Sequence, residues 1–170
     1  INALVAKMIV LTKSEYELSG GNESILPDEE IGKFIAANGE EYRGKGLRIL
    51  YTGEPVPPLK ISSADFARLL VNIADNSLKY KKGAEGRLQI ELRRSGGKTT
   101  LSFADDGQGV SEEDLPHLFE AFYRADRART STESGNGLGL AIVRKIIAAA
   151  GGEVSACNNE QGGLTVRAVF

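Results

Sequence analysis

Asn72, Asn76, Lys79 and Tyr80 recur at i, i+4, i+7 and i+8, the spacing that puts side chains on one face of a helix. An asparagine carbonyl oxygen is a hard, neutral ligand suited to Mg²⁺, which keeps several waters and takes the rest of its shell from phosphates. Lys79 offers a point charge for phosphate oxygens, and the Tyr80 ring can close over a base or sugar. The same residues also describe an ordinary solvated helix face, so this segment alone leaves both readings open.

Asp105 stands at the end of an alternating run and is followed by Gly107 and Gly109. A carboxylate held at a strand end can accept from the exocyclic amine of adenine, whereas guanine would present a second acceptor there. Glycines let the backbone approach a flat ring with no Cβ in the way. Asp-Asp-Gly is equally common turn chemistry. The third candidate is Gly135, Gly137 and Gly139, which alternate and run directly into Leu140-Ala-Ile-Val-Arg. A helix start presents unpaired N–H groups and a positive dipole, a natural place for an anion. The segment lacks the GK[ST] of a Walker A loop, and Leu140 stands where the last glycine of a dinucleotide fingerprint would fall. A plain hinge is the competing reading.

The elements that must hold these residues follow from periodicity. Residues 1–14 predict a short helix, the end of a longer one. Ser19 to Ser24 is a polar linker. Pro27, with Asp28, Glu29 and Glu30, starts a helix that buries Ile31, Phe34, Ile35 and Tyr42 and stops near Gly44 or Gly46. Leu47 to Thr52 predicts a strand and Pro55 to Pro58 a loop. Ser62 or Ser63 caps a helix to about Tyr80, with Phe66, Leu69, Leu70, Ile73 and Ser77 as its core stripe. Arg87 to Arg93 and Thr99 to Asp105 form a hairpin. Ser111 starts a short helix by the capping-box rule. Residues 124–135 predict a mobile loop, Leu138 to Ala150 a third long helix ended by Gly151-Gly152, and Glu153 to Cys157 with Leu164 to Phe170 a last hairpin. The expected fold is an α/β two-layer sandwich, a mixed, mostly antiparallel sheet packed against three helices.

Bulk properties narrow the function. The chain of 170 residues suits one domain with a full core. A formal net charge of −2 gives no basic field for nucleic acid, which is not expected as a partner. A single cysteine, Cys157, excludes an internal disulfide framework and fits a reducing compartment. No run approaches the ~20 apolar residues of a membrane span. The chain opens at Ile1 with no start methionine, which points to a piece of something longer.

Together these segments resemble the catalytic ATP-binding domain of sensor histidine kinases, within the wider GHKL group that includes gyrase and MutL. The resemblance covers roughly residues 24–170. Asn72 to Tyr80 is similar to the family's N box and Asp105 to Gly109 to its first glycine box. Leu118 to Arg124 is similar to the F box, which separates two-component kinases from the ATPases of the fold. Gly135 to Leu140 is similar to the second glycine box, and Gly162 to Thr165 to a terminal glycine segment. The resemblance implies Asn76 as the Mg²⁺ ligand, Lys79 and Arg124 on the phosphates, and Asp105 on adenine. Tyr80, Gly107, Gly109, Val110, Phe122, Gly135, Gly137, Leu138, Gly139, Leu140 and Thr165 would line the ATP site, and residues 126–136 would form a lid over it.

Asn72 argues mechanism. In the ATPases of this fold the position four before the metal-binding asparagine holds a glutamate that activates water, and an asparagine cannot take that proton. The implied reaction is transfer of the γ-phosphoryl group to a histidine, with catalytic roles for Asn72, Lys79 and Arg124, followed by relay to an aspartate of a response regulator. His117, the single histidine, lacks the acid and proline that follow the family's acceptor and reads as a helix-surface residue. The resemblance therefore implies a boundary near residue 18. Residues 1–18 would be the end of the dimerisation and phosphoacceptor helix, and residues 19–170 the catalytic domain. It also implies a cytoplasmic position in a parent anchored in a bacterial membrane. The parent would be a homodimer, while the fragment alone is expected to be monomeric and unable to phosphorylate itself. A serine kinase of the anti-sigma-factor kind, a non-catalytic ATP-sensing module and an ATPase clamp are the alternatives; the F box disfavours the first, the intact boxes the second and Asn72 the third.

Overall fold

The computed structural model describes residues 17–20, 22–125 and 137–170. The expected helix over residues 1–14 and the expected lid over 126–136 lie outside them. Helix α1, Pro27–Gly44, begins with Pro27 where a missing N–H is harmless, and Asp28, Glu29 and Glu30 sit at its positive end. Strand β1, Leu47–Gly53, follows. Helix α2, Ser63–Lys79, is capped by Ser62, whose Oγ accepts from the Asp65 N–H at 3.1 Å. Its predicted stripe of Phe66, Leu69, Leu70, Ile73 and Ser77 is buried, joined by Asp65 and Ala74.

Strands β2, Gly86–Ser95, and β3, Lys98–Asp105, form the expected hairpin. Helix α3, Gly139–Ala149, then leads to β4, Glu153–Asn158, and β5, Leu164–Val169. The five strands run in the order β1-β2-β3-β5-β4. Only β1 and β2 pair in parallel, because α2 carries the chain across between them; the other neighbours are antiparallel. Leu88, Ile90 and Leu92 of β2 and Leu101 and Phe103 of β3 are buried, while Arg87 and Arg93 stay exposed. One face of the sheet thus carries the core against the helices, as the two-layer expectation required.

The helix expected from Ser111 is not formed. Ser111 does accept the Asp114 N–H at 3.1 Å, but the chain makes only a turn and a three-residue 3₁₀ segment, Leu115–His117. None of those residues is buried, and a short helix with no face to bury does not repay its nucleation.

Candidate nucleotide site

Helix α2 supplies one wall. The Asn72 amide donates to the Arg68 carbonyl, one turn back, at 2.8 Å. That fixes its Oδ1 toward the start of α3, where a Cβ built on Gly139 would stand 3.1 Å from Asn72 Oδ1 and 3.7 Å from Asn76 Nδ2. The asparagines of α2 and the glycines before α3 therefore meet. The first intrahelical bond of α3 runs from the Ile142 N–H to the Leu138 carbonyl, and no side chain caps the helix. Its first N–H groups open beside the two asparagines, an arrangement suited to anionic oxygens. The Asn76 amide makes no hydrogen bond with another described residue.

Lys79 ends α2, with Nζ 5.2 Å from the centroid of the Tyr80 ring, a cation–π distance. Tyr80 caps the helix and its carbonyl accepts the Gln108 N–H at 3.0 Å. The end of α2 is thus tied to the glycine segment after β3.

Asp105, the last residue of β3, is half-buried between these parts. Its Oδ1 accepts the Gly107 N–H at 2.9 Å and the Leu164 N–H at 3.0 Å. Among the described residues, its Oδ2 meets only the Ser77 hydroxyl, at a long 3.5 Å. Burial raises the Asp105 carboxyl above its ordinary 3.8 and outweighs the two backbone N–H groups that stabilise the anion; Asp106 adds to the rise. The arrangement leaves Oδ2 with spare acceptor capacity among the described residues. Close approach at this point demands glycine. A Cβ on Gly163 would overlap the Asp105 carbonyl oxygen.

The other expected residues divide. Gly109 adopts φ +63°, and Val110 beside it is hydrogen-bonded through its N–H and carbonyl to the Asn158 side chain, at 3.0 and 2.7 Å. Thr165 lies on β5, its hydroxyl 3.3 Å from Asn159 Nδ2. Phe122 donates its N–H to the Gly137 carbonyl at 2.9 Å, which joins the F segment to the glycines before α3. Phe122 holds φ +67° and is 65% exposed, a strained conformation for a bulky side chain. Leu138 is 2% exposed, its side chain in the core, so its contribution to the site would come from the backbone. Leu140 packs partly against the same core. Arg124 is half-buried at the end of the described stretch, and Gly135 lies outside it. His117 is on the surface, Nδ1 2.8 Å from Glu120 Oε1, its ring against Tyr123.

Residues 62–170 match the family described as "Histidine kinase-, DNA gyrase B-, and HSP90-like ATPase". The chain belongs to this family. The ligand of this family is accordingly ATP. The chain is 31% identical to the signal transduction histidine-protein kinase BaeS of Escherichia coli over 177 residues, covering 98% of this chain and 37% of that protein. It is 28% identical to the histidine-protein kinase ArlS of Staphylococcus haemolyticus, covering 100% of this chain and 37% of that protein. The chain thus spans just over a third of the relatives it matches. Among solved structures, the mycobacterial sensor histidine kinase MprB superposes with a TM-score of 0.75 at 24% identity, covering 87% of this chain and 97% of that one. Full-length ShkA in complex with AMPPNP superposes with a TM-score of 0.71 at 26% identity, over 90% of this chain and 31% of that one. No helix among the described residues is long and apolar enough to cross a membrane.

Three contributors to the surroundings of Asp105 were not visible as such in the sequence. Ser77 is buried in the predicted core stripe; its hydroxyl donates to the Ile73 carbonyl at 3.1 Å and also lies 3.5 Å from Asp105 Oδ2. Asn158 and Asn159 read as hairpin turn, yet both hold the segment that follows β3. Their signal was weak: paired asparagines before a glycine pair suit any turn.

Proposed function

We propose that this chain is the ATP-binding catalytic domain of a two-component sensor histidine kinase. It passes the γ-phosphoryl group of ATP to a histidine on a separate dimerisation domain, for relay to an aspartate of a response regulator. The observation that carries the reading is the division of labour on Asp105. Two backbone N–H groups occupy Oδ1, which leaves Oδ2 to accept from the adenine amine. Guanine would place a carbonyl against the same oxygen and is disfavoured.

In this reading residues 19–170 are the catalytic domain, and residues 1–18 belong to the phosphoacceptor helix. The parent is a homodimer in a bacterial membrane, with this domain in the cytoplasm. The Asn76 amide, without a partner among the described residues, fits a Mg²⁺ ligand whose remaining shell comes from phosphate and water. When bound, the metal would neutralise charge on the phosphate oxygens. Lys79 and Arg124 contribute positive charge to the triphosphate. The glycines from Gly135 to Gly139 and the open N–H groups of α3 cradle it. Tyr80, Gly107, Gly109, Val110, Phe122, Leu140 and Thr165, with the Leu138 backbone, complete the pocket. Transfer breaks the bond between γ-phosphorus and the bridging oxygen and forms one from phosphorus to an imidazole nitrogen, so catalysis is mostly positioning and charge neutralisation. Asn72 has no basic group for water, which spares ATP for the histidine.

The test is phosphotransfer from labelled ATP to a separately supplied acceptor domain. Label that is acid-labile and base-stable on a histidine of the acceptor is expected. Label on serine, or none in the presence of bound ATP, overturns the reading.

A further inference from the structure

The segment that carries Asp105, Gly107, Gly109 and Val110 leaves the strand at the end of β3. The Asp106 N–H still reaches the Arg87 carbonyl of β2 at 3.2 Å and the Gln108 N–H the Tyr80 carbonyl at 3.0 Å, and two consecutive asparagines hold the segment from the other side. Asn159 Nδ2 donates to the Asp105 carbonyl at 2.9 Å. Asn158 closes a two-bond ring with Val110, accepting its N–H at 3.0 Å and donating to its carbonyl at 2.7 Å. The amide thus copies the pairing of a neighbouring strand. The contact is tight, since a Cβ on Gly109 would stand 2.7 Å from Asn158 Oδ1.

The turn that presents both asparagines is itself bolted down. Asn159 Oδ1 accepts the Gln161 and Gly163 N–H groups at 3.1 and 3.0 Å. Gln161 in turn accepts from Lys82 Nζ at 3.1 Å through its carbonyl and from Arg87 Nη2 at 2.9 Å through its side chain. The β4–β5 turn is therefore anchored to the residues after α2 and to β2. It can serve as a fixed reference against which the glycine segment is set.

We infer that Asn158 and Asn159 are positioning residues for nucleotide binding, which fix the distance between the carboxylate at Asp105 and the backbone at Gly109 and Val110 that borders the base. The inference rests on the ATP site proposed above. Asn159 holds one end of the segment, Asn158 the other, and the base must fit between them. Loss of the Asn158 amide frees Val110 while leaving every bond of the Asp105 side chain in place. Two modest hydrogen bonds are at stake, so ATP affinity falls by about three- to tenfold, with the apo fold retained because Asn158 is an exposed residue outside the core.

The experiment is calorimetric titration of ATP into the wild-type chain, Asn158→Ala and Asn158→Asp, with the apo melting temperature of each recorded. Asn158→Asp keeps the acceptor for the Val110 N–H and removes only the donor. Weaker ATP binding by both variants at near wild-type melting temperature, persisting at high salt, is the expected result. Wild-type affinity in a folded Asn158→Ala overturns the inference alone. If the wild-type chain itself fails to bind ATP, the parent reading falls instead. Should Asn158→Ala not fold, Asn158→Asp with undiminished affinity is equally decisive against the inference.

Discussion

Asp105 pairs a burial cost with the binding use proposed for it. Its carboxyl is raised above 3.8 chiefly by burial, so it is harder to ionise in the folded chain than in the unfolded one. A group of that sign contributes stability below its unfolded value and loses it as the pH rises through the raised folded value. At neutral pH the anion is therefore a net cost to the empty fold. Asp105→Asn keeps an oxygen for the Gly107 and Leu164 N–H groups and removes that cost. The apo melting temperature of Asp105→Asn should equal or exceed that of the wild type at pH 7, while ATP affinity drops ten- to a hundredfold, about 1.5–3 kcal/mol for a charge-assisted bond. Wild-type ATP binding should also weaken as the pH falls through the raised value, because protonation removes the charge that strengthens the bond from the adenine amine. Thermal melts and calorimetry over mildly acidic pH check both. The acid, its glycines and the asparagines of α2 could be picked from the sequence because their chemistry is intrinsic to residue type and spacing. Ser77 could not, because a hydroxyl at a core position of a helix carries no sign of which neighbour it will meet.

At the scale of elements, the helices are joined by polar links as well as by the core. The Tyr42 hydroxyl of α1 donates to Asp75 of α2 at 2.8 Å, and burial together with that carboxylate raises the phenol above its usual range. Asp75 directly precedes Asn76 on α2, so this link also bears on how the site helix is held. Tyr42→Phe should lower stability by about 0.5–1.5 kcal/mol in urea unfolding, with ATP affinity measured alongside; a loss of affinity would mean that α1 also sets the site. The helices and strands were legible because each carries its own period and cap: Ser62 before α2, Pro27 at the head of α1, alternation along β2 and β3. The segment from Ser111 to His117 was misread because a cap favours a start without paying for propagation. What decided it was burial, and none of the 3₁₀ residues reaches the core. The role of the β4–β5 turn was hidden for a related reason. Its asparagines act across the sheet, on residues some fifty positions away in the chain (|i−j| of 48 and 54), and a turn signal is local.

For the whole molecule, the fold brings three separated segments to one cleft: the end of α2, the residues after β3 and the start of α3. The topology makes this possible because α2 and α3 pack on the same face of the sheet and β3 is its central strand. In the proposed reading, Asn72 in place of a basic residue leaves the assembled site poor at activating water. Steady-state ATP hydrolysis by the chain should lie far below the ~10 s⁻¹ typical of enzymes, and incubation with labelled ATP should leave His117 unlabelled; rapid turnover or a phosphorylated His117 would argue for a different reaction. The central claim is that one carboxylate reads the base while an amide and a cation hold the phosphates. A crystal structure with a non-hydrolysable ATP analogue and Mg²⁺ tests it most directly. The account predicts the adenine amine within hydrogen-bond distance of Asp105 Oδ2 and the Asn76 amide oxygen in the coordination shell of the metal. A base seated away from Asp105, or a metal shell without Asn76, would contradict it.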